Sequence, residues 1–223
     1  MSVDHVRIVF EDDALVVVEK PAGLLTIATE TEKTRTLYAL LRETANRKRP
    51  PEKIFIVHRL DREASGLLVF AKTIEAKEKL QDQFKDHSAG RRYVAVVEGR
   101  LHPDKFTIRS YLAENAAFRV YSTKKPAAGK PAVTHVRVMR GNSKMTLVEV
   151  RLETGRKHQI RVHLAERGHP IVGDKTYGSR LNPLHRLALH GARLEFRHPI
   201  TGSLLHFETP VPKSFGGLIR NEG

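Results

Sequence analysis

The 223-residue sequence contains no cysteine, which excludes disulfides, thiolate zinc sites and cysteine nucleophiles. No apolar run is long enough to span a bilayer, so no membrane span is expected. Residues 1–5 do not begin a basic segment followed by an apolar one, so no secretory signal is predicted. Together these absences predict a cytoplasmic protein.

Several catalytic motifs are also missing. The sequence has no GxGxxG, GxxxxGK[ST] or GxSxG segment, which argues against a dinucleotide site, a P-loop and a serine hydrolase. His158, His163 and His169 lack HExxH spacing, so no metal site is predicted. Asp61 and Glu63 are too close in sequence to be taken as opposed glycosidase carboxylates. We therefore expect neither a metal nor a cofactor.

Acidic residues are scarce relative to basic ones. The sequence has 25 Asp and Glu against 39 Lys and Arg, a formal net charge of +14 and a pI near 10.2. Such an excess attracts polyanions over long distances and favours nucleic acid as the partner. An anionic membrane fits less well because no helix combines one basic face with one strongly apolar face. Solubility alone accounts for part of the charge.

Apolar runs and turn signals predict an α+β protein. Helices are predicted from Thr36 to about residue 46, from Thr73 onward, and from Thr154, as N-cap, to Gly168, as stop. Strands are predicted at residues 6–10, 15–19, 54–57, 67–71, 91–98, 106–112, 118–122, 132–139, 145–152, 187–196 and 203–209. Strands mostly follow one another directly, which favours a largely antiparallel sheet. No linker divides the chain, so residues 1–223 are predicted to form a single domain.

The segment His58-Arg59-Leu60-Asp61-Arg62-Glu63-Ala64-Ser65-Gly66 places an acid between two arginines. Apolar runs flank it on both sides, so Asp61 is expected on a connection between two core strands, where functional groups are often held. Nearby guanidinium groups favour the ionised carboxylate. A structural Arg–Asp pair that pins the loop fits the same residues.

Two further blocks carry candidate site residues. In the predicted third helix, Lys157, His158 and Arg161 share one face, which could hold a phosphate or position a carboxylate. A solvent-facing basic helix is the alternative for this block. Tyr93 enters an alternating strand, where a tyrosine usually packs half-buried, and it becomes interesting only if it lies beside Asp61.

The segment 122–131 is the best candidate for a mobile loop. It contains Lys124, Lys125 and Lys130 together with prolines and a glycine. These residues suit an arm that contacts phosphates, and a solvated hairpin tip is the plainer alternative.

Taken in order, these blocks resemble the RluA-type pseudouridine synthases. HRLDREASGLLVFAK resembles the nucleophile motif of that family, RRYVAVVEG its tyrosine motif, and TGRKHQIRVHLAERGHPIVGDKTYG its third motif. VFEDDALVVVEKPAGLL, LALHGARLEFRHPITG and LHFETPVP are similar to the opening and closing strands. Ala64 and Lys157 depart from the usual residues at their positions. The S4 RNA-binding domain of many relatives has no room here, so the catalytic domain is expected to supply its own RNA contacts.

The resemblance implies a pseudouridine synthase fold, a central mostly antiparallel sheet in two lobes flanked by helices with the active-site cleft between the lobes. It implies that Asp61 is the nucleophile, Tyr93 the residue that stacks on the base, and Arg161 the ion-pair partner of Asp61. Arg59 is expected to help displace and replace the target base, whereas Arg62 is expected to brace the loop. The substrate-binding residues predicted beside Arg59 are His58, Arg62, Arg156, His158, Lys124, Lys125 and Lys130.

The predicted function is isomerisation of uridines to pseudouridine in structured RNA, either ribosomal or transfer RNA, by a monomer. A catalytically silent RNA-binding or RNA-folding module with the same fold is the alternative, although such a module has no need of a buried acid. A phosphate-directed hydrolase is a third hypothesis, but the sequence offers it no metal or nucleophile–base set.

Overall fold

The computed structural model describes residues 6–220, which divide into two compact units. Unit 1 comprises residues 6–90 and 191–209, and unit 2 comprises residues 91–190 and 210–220. In chain order the strands are β1 Arg7–Glu11, β2 Leu15–Lys20, β3 Phe55–Ile56, β4 Ser65–Ala71, β5 Gly90–Glu98, β6 Lys105–Glu114, β7 Val120–Thr123, β8 Lys130–Gly141, β9 Met145–Leu152, β10 Leu189–Arg197 and β11 Leu204–Glu208. The helices are α1 Leu37–Arg47, α2 Ile74–Lys85, α3 Gln159–Glu166 and α4 Lys213–Leu218.

The sheet of unit 1 has the strand order β1, β2, β4, β10 and β11, and β3 pairs with the end of β4. β2 and β4 are antiparallel, with Val17 opposite Val69. Every residue of β4 is buried, as expected for an apolar strand in the middle of a sheet. Val17, Val69 and Phe196 pack with Leu80 of α2 in one hydrophobic core.

Two threonine caps fix the helices of unit 1. The Thr36 hydroxyl accepts a hydrogen bond from the Ala39 N–H at 3.1 Å, and the Thr73 hydroxyl accepts one from the Ala76 N–H at 3.1 Å. Such caps satisfy a backbone donor that the first turn leaves open. Both predicted helix starts are therefore confirmed.

The sheet of unit 2 has the strand order β5, β9, β8, β6 and β7, and every neighbouring pair is antiparallel. Leu112, Val120 and Ala132 of this sheet form a core cluster with Val162 of α3. In unit 1, β1 and β2, β2 and β4, β3 and β4, and β10 and β11 also pair antiparallel. The predicted α+β class with a mostly antiparallel sheet is therefore confirmed.

Three sequence predictions need correction. The third helix begins at Gln159 rather than near Thr154. The predicted strand at residues 54–57 has only 2 residues in ladder pairing, and residue 118 lies in a turn before β7. Helix α4 had no clear sequence signal, because its 6 residues include two glycines, which are poor helix formers.

A close backbone contact joins β4 to β10. Gly66 has φ +120°, a conformation that residues with a Cβ rarely adopt. A Cβ at this position would lie 2.3 Å from the Gly191 carbonyl oxygen, so a larger residue would push the two strands apart. Gly66 is the residue that ends the HRLDREASG segment.

No helix in the described range 6–220 is both long enough and apolar enough to cross a membrane.

Candidate active site

Asp61 lies in unit 1, in the segment of residues 57–64 that joins β3 to β4 without helix or strand. Its side chain is partly buried, whereas Arg59 and Arg62 are exposed. The observed position matches the predicted one, a connection that leads directly into a buried central strand. A segment of this kind can hold a reactive group at the end of a rigid element.

The backbone on both sides of Asp61 is hydrogen-bonded to the segment that follows β2. On one side, the Thr26 hydroxyl donates to the Leu60 carbonyl at 2.9 Å and accepts from the Leu60 N–H at 3.2 Å. On the other side, the Gly23 N–H donates to the Arg62 carbonyl at 2.8 Å. These bonds fix the main chain before and after the acid.

The buried side chain of Lys20 also supports the loop that carries Asp61. Its side chain is fully buried, and Nζ donates to the carbonyls of Pro21 at 3.0 Å, Leu24 at 2.7 Å and Arg62 at 3.0 Å. An ammonium group has three donors, and a buried one needs hydrogen-bonding partners for them. Lys20 was not predicted as a site residue, and its one signal in the sequence is the position of a lysine between an apolar strand and a proline.

Two residues predicted to bind substrate have contacts within unit 1. The His58 ring stacks on Phe84 of α2 at a centroid distance of 4.2 Å, and its Nε2 accepts from the Val69 N–H at 3.2 Å. Arg62 lines a pocket of about 390 Å³ with Glu32 and other residues. The Arg62 carbonyl, rather than its guanidinium, makes the contacts that brace the loop.

Tyr93 and α3 lie on the same face of the unit 2 sheet. Tyr93 is opposite Val150, which is opposite Val136 on the next strand, and residues opposite each other in antiparallel strands share a face. Thr134, two residues before Val136, is also on this face, and its Oγ1 lies 2.8 Å from Nδ1 of His163 in α3. Tyr93 is 8% exposed.

The segment before α3 explains why the helix starts late. The Thr154 hydroxyl accepts from the Val133 N–H at 2.9 Å and donates to Oε1 of Gln159 at 2.8 Å, so it does not cap the helix. The same Oε1 accepts from the Arg156 N–H at 3.0 Å. Nε2 of Gln159 donates to the Val133 carbonyl, so this side chain, which the sequence analysis missed, ties the segment to β8.

Arg161 is held by Asp174, a third residue that had not been predicted for the site, after Lys20 and Gln159. Its Nε donates to Oδ2 of Asp174 at 2.8 Å, and its Nη2 donates to Oδ1 at 2.9 Å. This is a two-bond fork, the strongest geometry for such a pair. The side chains of Arg161 and Asp174 are 6% and 0% exposed, and the ring centroid of Tyr177 lies 5.1 Å from the guanidinium carbon. Asp174 and Tyr177 both lie in the segment GDKTY, whose sequence alone indicated no role for them.

The predicted shared face of Lys157, His158 and Arg161 is wrong, because only Arg161 lies within the helix. His158 has φ +54°, and its Nδ1 lies 2.9 Å from the Tyr177 hydroxyl. Burial raises the pKa of this hydroxyl, so Tyr177 stays protonated at neutral pH. Lys157 instead forms an ion pair with Glu114 of β6.

The remaining predicted RNA-binding residues lie near the β7–β8 connection. Lys124, Lys125 and Lys130 are exposed, and a short 3₁₀ helix lies between Lys125 and Lys130. Nε of Arg156 donates to the Pro131 carbonyl at 3.0 Å, so Arg156 belongs to the same region of unit 2. Among residues 6–220, no group of three or more His, Asp or Glu side chains is arranged to hold a metal ion.

The model of the family described as RNA pseudouridylate synthase matches residues 14–166, more than half of the chain. This chain belongs to that family. Members isomerise uridine in RNA, and the protein is accordingly an isomerase that forms pseudouridine. The resemblance to the RluA-type pseudouridine synthases is confirmed.

Relatives of the synthase support this assignment over most of its length. It is 40% identical over 215 residues to the uncharacterized RNA pseudouridine synthase YhcT of Bacillus subtilis, covering 96% of this chain and 71% of that protein. It is 39% identical over 226 residues to ribosomal large subunit pseudouridine synthase D of Nitrosomonas europaea, covering 96% of this chain and 64% of that protein. The chain thus spans less than two thirds of the length of some curated relatives.

A solved structure confirms the pseudouridine synthase fold. Human RNA pseudouridylate synthase domain containing 1 matches with a TM-score of 0.79 and 26% identity, covering 98% of this chain and 89% of that one. The family match includes Asp61, Tyr93 and Arg161 of the synthase, but it ends before Asp174.

Proposed function

We propose that this synthase modifies ribosomal RNA, with Asp61 as the nucleophile that acts on a uridine flipped out of its stack. Relatives named ribosomal large subunit pseudouridine synthase D support the substrate class, because they match 95–96% of the chain at 37–40% identity. The observation that carries the role of Asp61 is its loop, in which the residues before and after the acid are fixed by Thr26 and Lys20.

The reaction requires one anionic group at the sugar. The N1–C1′ bond breaks, the uracil turns, and C5 bonds to C1′. The C5 proton leaves and N1 is protonated, so atoms and charge balance without a cofactor. The Asp61 carboxylate either attacks C1′ as the bond to N1 breaks or stabilises the positive charge that develops there. In the first case, the ester bond between Asp61 and C1′ breaks when C5 bonds to C1′, and the carboxylate is regenerated.

Tyr93 and Arg161 supply the other two roles. The Tyr93 ring stacks on the detached uracil, and Arg161 is the ion-pair partner of Asp61. Their location on one face of the unit 2 sheet supports a joint role. The fork to Asp174 supports a fixed guanidinium, because a bidentate pair restricts both its position and its plane.

The cost of flipping the uridine is a few kcal/mol, and phosphate contacts offset it. The +14 net charge favours such contacts. Arg59, which is exposed beside the nucleophile, takes the place of the flipped base. The other residues that we propose for RNA contacts are His58, Arg62, Arg156, His158, Lys124, Lys125 and Lys130. The cytoplasm is the proposed location, because ribosomal RNA is present there.

Tritium release from RNA labelled with 5-³H-uridine tests the role of Asp61, since forming the C5–C1′ bond expels the label. We expect Asp61→Asn to bind RNA as the wild type does but to release label at least about a thousandfold more slowly. Glu63→Gln is the matched control, because Glu63 is an exposed acid on the same loop, and it should keep near-normal release.

Near-wild-type release by Asp61→Asn would remove Asp61 as the nucleophile. If the wild-type protein released no label from any RNA, the alternative of a silent RNA-binding module would replace the enzyme. Parallel reactions with ribosomal and transfer RNA test the substrate class. Release confined to transfer RNA would contradict the proposed ribosomal substrate.

A further inference from the structure

An aromatic ring with no place in the proposed mechanism projects from unit 2. Phe118 lies in the turn between β6 and β7 and is 76% exposed, and Tyr121 on β7 is 43% exposed. Single exposed apolar residues are ordinary on protein surfaces. Any function of Phe118 must therefore rest on how the turn holds it and on what surrounds it.

The turn holds Phe118 in an uncommon conformation. Its φ is +58°, which is rare for a bulky residue and requires support from the surrounding structure. The Asn115 side chain accepts from the Ala117 N–H at 3.0 Å and from the Arg119 N–H at 2.9 Å. The Phe118 N–H donates to the Asn115 carbonyl at 2.9 Å. The turn is therefore fixed while the ring stays in solvent.

One cation lies beside this ring, and two others lie over the ring of Tyr177. Nζ of Lys157 lies 5.9 Å from the Phe118 ring centroid and donates to the Phe118 carbonyl at 3.3 Å. The Arg119 guanidinium lies over the ring of Tyr177, which also contacts the Arg161 guanidinium. The turn is thus connected within unit 2 to the arginine of the proposed mechanism.

Lys157, which contacts this turn, also lines a groove of about 540 Å³. Lys130, Arg156 and Lys157 line it, against a single acid, Glu114. The exposed ring of Tyr121 also lines it. Flat rings beside clustered cations match the two parts of a nucleotide, because a base stacks on the ring and a phosphate pairs with the cations.

We propose that Phe118 and this groove form a binding site for an unpaired RNA nucleotide outside the catalytic pocket. The base stacks on Phe118, and the phosphates on either side contact Lys157, Arg156 and Lys130. The site rests on the proposed function in one respect, that its ligand is the RNA substrate. Its net positive charge favours a polyanion, and its exposed ring favours a polyanion with unpaired bases over a duplex.

A tryptophan reporter tests the site directly, because the chain contains no tryptophan. Phe118→Trp keeps a stacking ring and creates a single fluorophore at the turn. We expect a single-stranded RNA of about 12 nucleotides to quench its fluorescence, whereas a fully paired duplex of the same length quenches it far less. Leu204→Trp is the matched control, because Leu204 is 60% exposed on β11 of unit 1 and should respond to neither RNA.

Fluorescence anisotropy with the labelled single strand then measures binding. We expect Phe118→Ala to raise the dissociation constant about tenfold and Phe118→Trp to restore it to near the wild-type value. Phe118→Leu, which keeps apolar bulk without a π-face, should resemble the alanine variant. Equal quenching at residues 118 and 204, or unchanged affinity in Phe118→Ala, would overturn the site. Stronger quenching by polyglutamate than by RNA would replace it with a site for an acidic protein.

These measurements need no turnover, so they separate this site from the proposed reaction. Quenching at residue 118 with no tritium release by the wild-type protein would leave the nucleotide site standing and remove the reaction. Normal tritium release with no quenching at residue 118 would support the reaction and remove the nucleotide site.

Discussion

Units 1 and 2 each hold one of the two oppositely charged residues of the proposed mechanism, and they hold them by different means. In unit 1, Lys20 and Thr26 bind the main chain next to Asp61. In unit 2, Asp174 binds the guanidinium of Arg161 itself. Anchoring the backbone fixes the position of Asp61 through the main chain on either side of it. Anchoring the side chain suits a cation whose task is to stay in place.

The largest expected effect comes from breaking the anchor in unit 2. Asp174→Ala removes both hydrogen bonds of the fork from the buried guanidinium of Arg161, which we expect to lower the free energy of unfolding by about 3–5 kcal/mol. Urea denaturation measures this loss. Glu75→Ala is the control, because the Glu75–Lys79 pair is 62% and 51% exposed and should contribute at most about 0.5 kcal/mol.

A double variant sharpens this prediction. Replacing Arg161 and Asp174 together by Met and Leu removes both buried charges, so it should recover much of the stability that Asp174→Ala loses. The double variant should release no tritium label, because Arg161 is absent. A loss below about 1 kcal/mol in Asp174→Ala would show that the fork does not hold Arg161 in the way its geometry indicates.

Replacing Lys20, the anchor in unit 1, should lower the free energy of unfolding less than Asp174→Ala does but should affect tritium release more directly. Lys20→Met fills a similar volume but leaves three carbonyls without the ammonium, which we expect to cost roughly 2–4 kcal/mol. Tritium release should fall further than stability alone explains, while RNA affinity stays unchanged, because the loop that carries Asp61 loses its support. Lys53→Met, at an exposed lysine of the same unit, is the control and should change neither quantity. Normal release by folded Lys20→Met would refute the role of this anchor.

The smallest effect expected for a single residue is the pH dependence of stability that each of two buried histidines contributes in unit 2. Burial lowers the pKa of His163 to about 4, and that of His190 to about 4, and both residues belong to unit 2. The unfolded chain binds a proton near pH 6.5 that the folded chain refuses, so stability is full above pH 6.5 and falls as the pH drops towards 4. When the pH falls from 7 to 5, each of these two histidines should lower the free energy of unfolding by about 2 kcal/mol.

Urea denaturation of the wild type and of His163→Gln at both pH values measures this slope. The variant should lose about half of the pH dependence, whatever its stability at pH 7. In unit 1, burial raises the pKa of Glu11 and of Asp12, but hydrogen bonds and nearby cations outweigh it and lower both. Their contribution is therefore present at pH 5 and is lost only below about pH 4. An equal slope in the variant would contradict the assignment to His163.

Local signals in the sequence predicted the elements that local contacts stabilise. Thr36 and Thr73 were predicted as helix starts because a threonine side chain reaches a backbone donor within its own first turn. Thr154 has the same local pattern, but its hydroxyl is used by β8 and Gln159. No property of the segment itself indicates that competition.

The family resemblance predicted reactive residues for the candidate site but not the residues that support them. The resemblance to a family assigned Asp61, Tyr93 and Arg161, and those roles stay predictions until activity is measured. Lys20 contacts a carbonyl 42 residues away, and Asp174 contacts a guanidinium 13 residues away. Such contacts depend on how the chain folds back on itself, which no spacing rule for helices or strands contains.

The close backbone contact between Gly66 and Gly191 limits which substitutions the loop that carries Asp61 can accept. Position 66 ends the segment that carries Asp61, yet it has no room for any side chain. New specificity around the acid cannot come from the strand side of this loop without remaking the strand pair. Diversification is left to the exposed positions 59, 62 and 63, where a side chain can change which RNA is selected while the position of Asp61 stays the same.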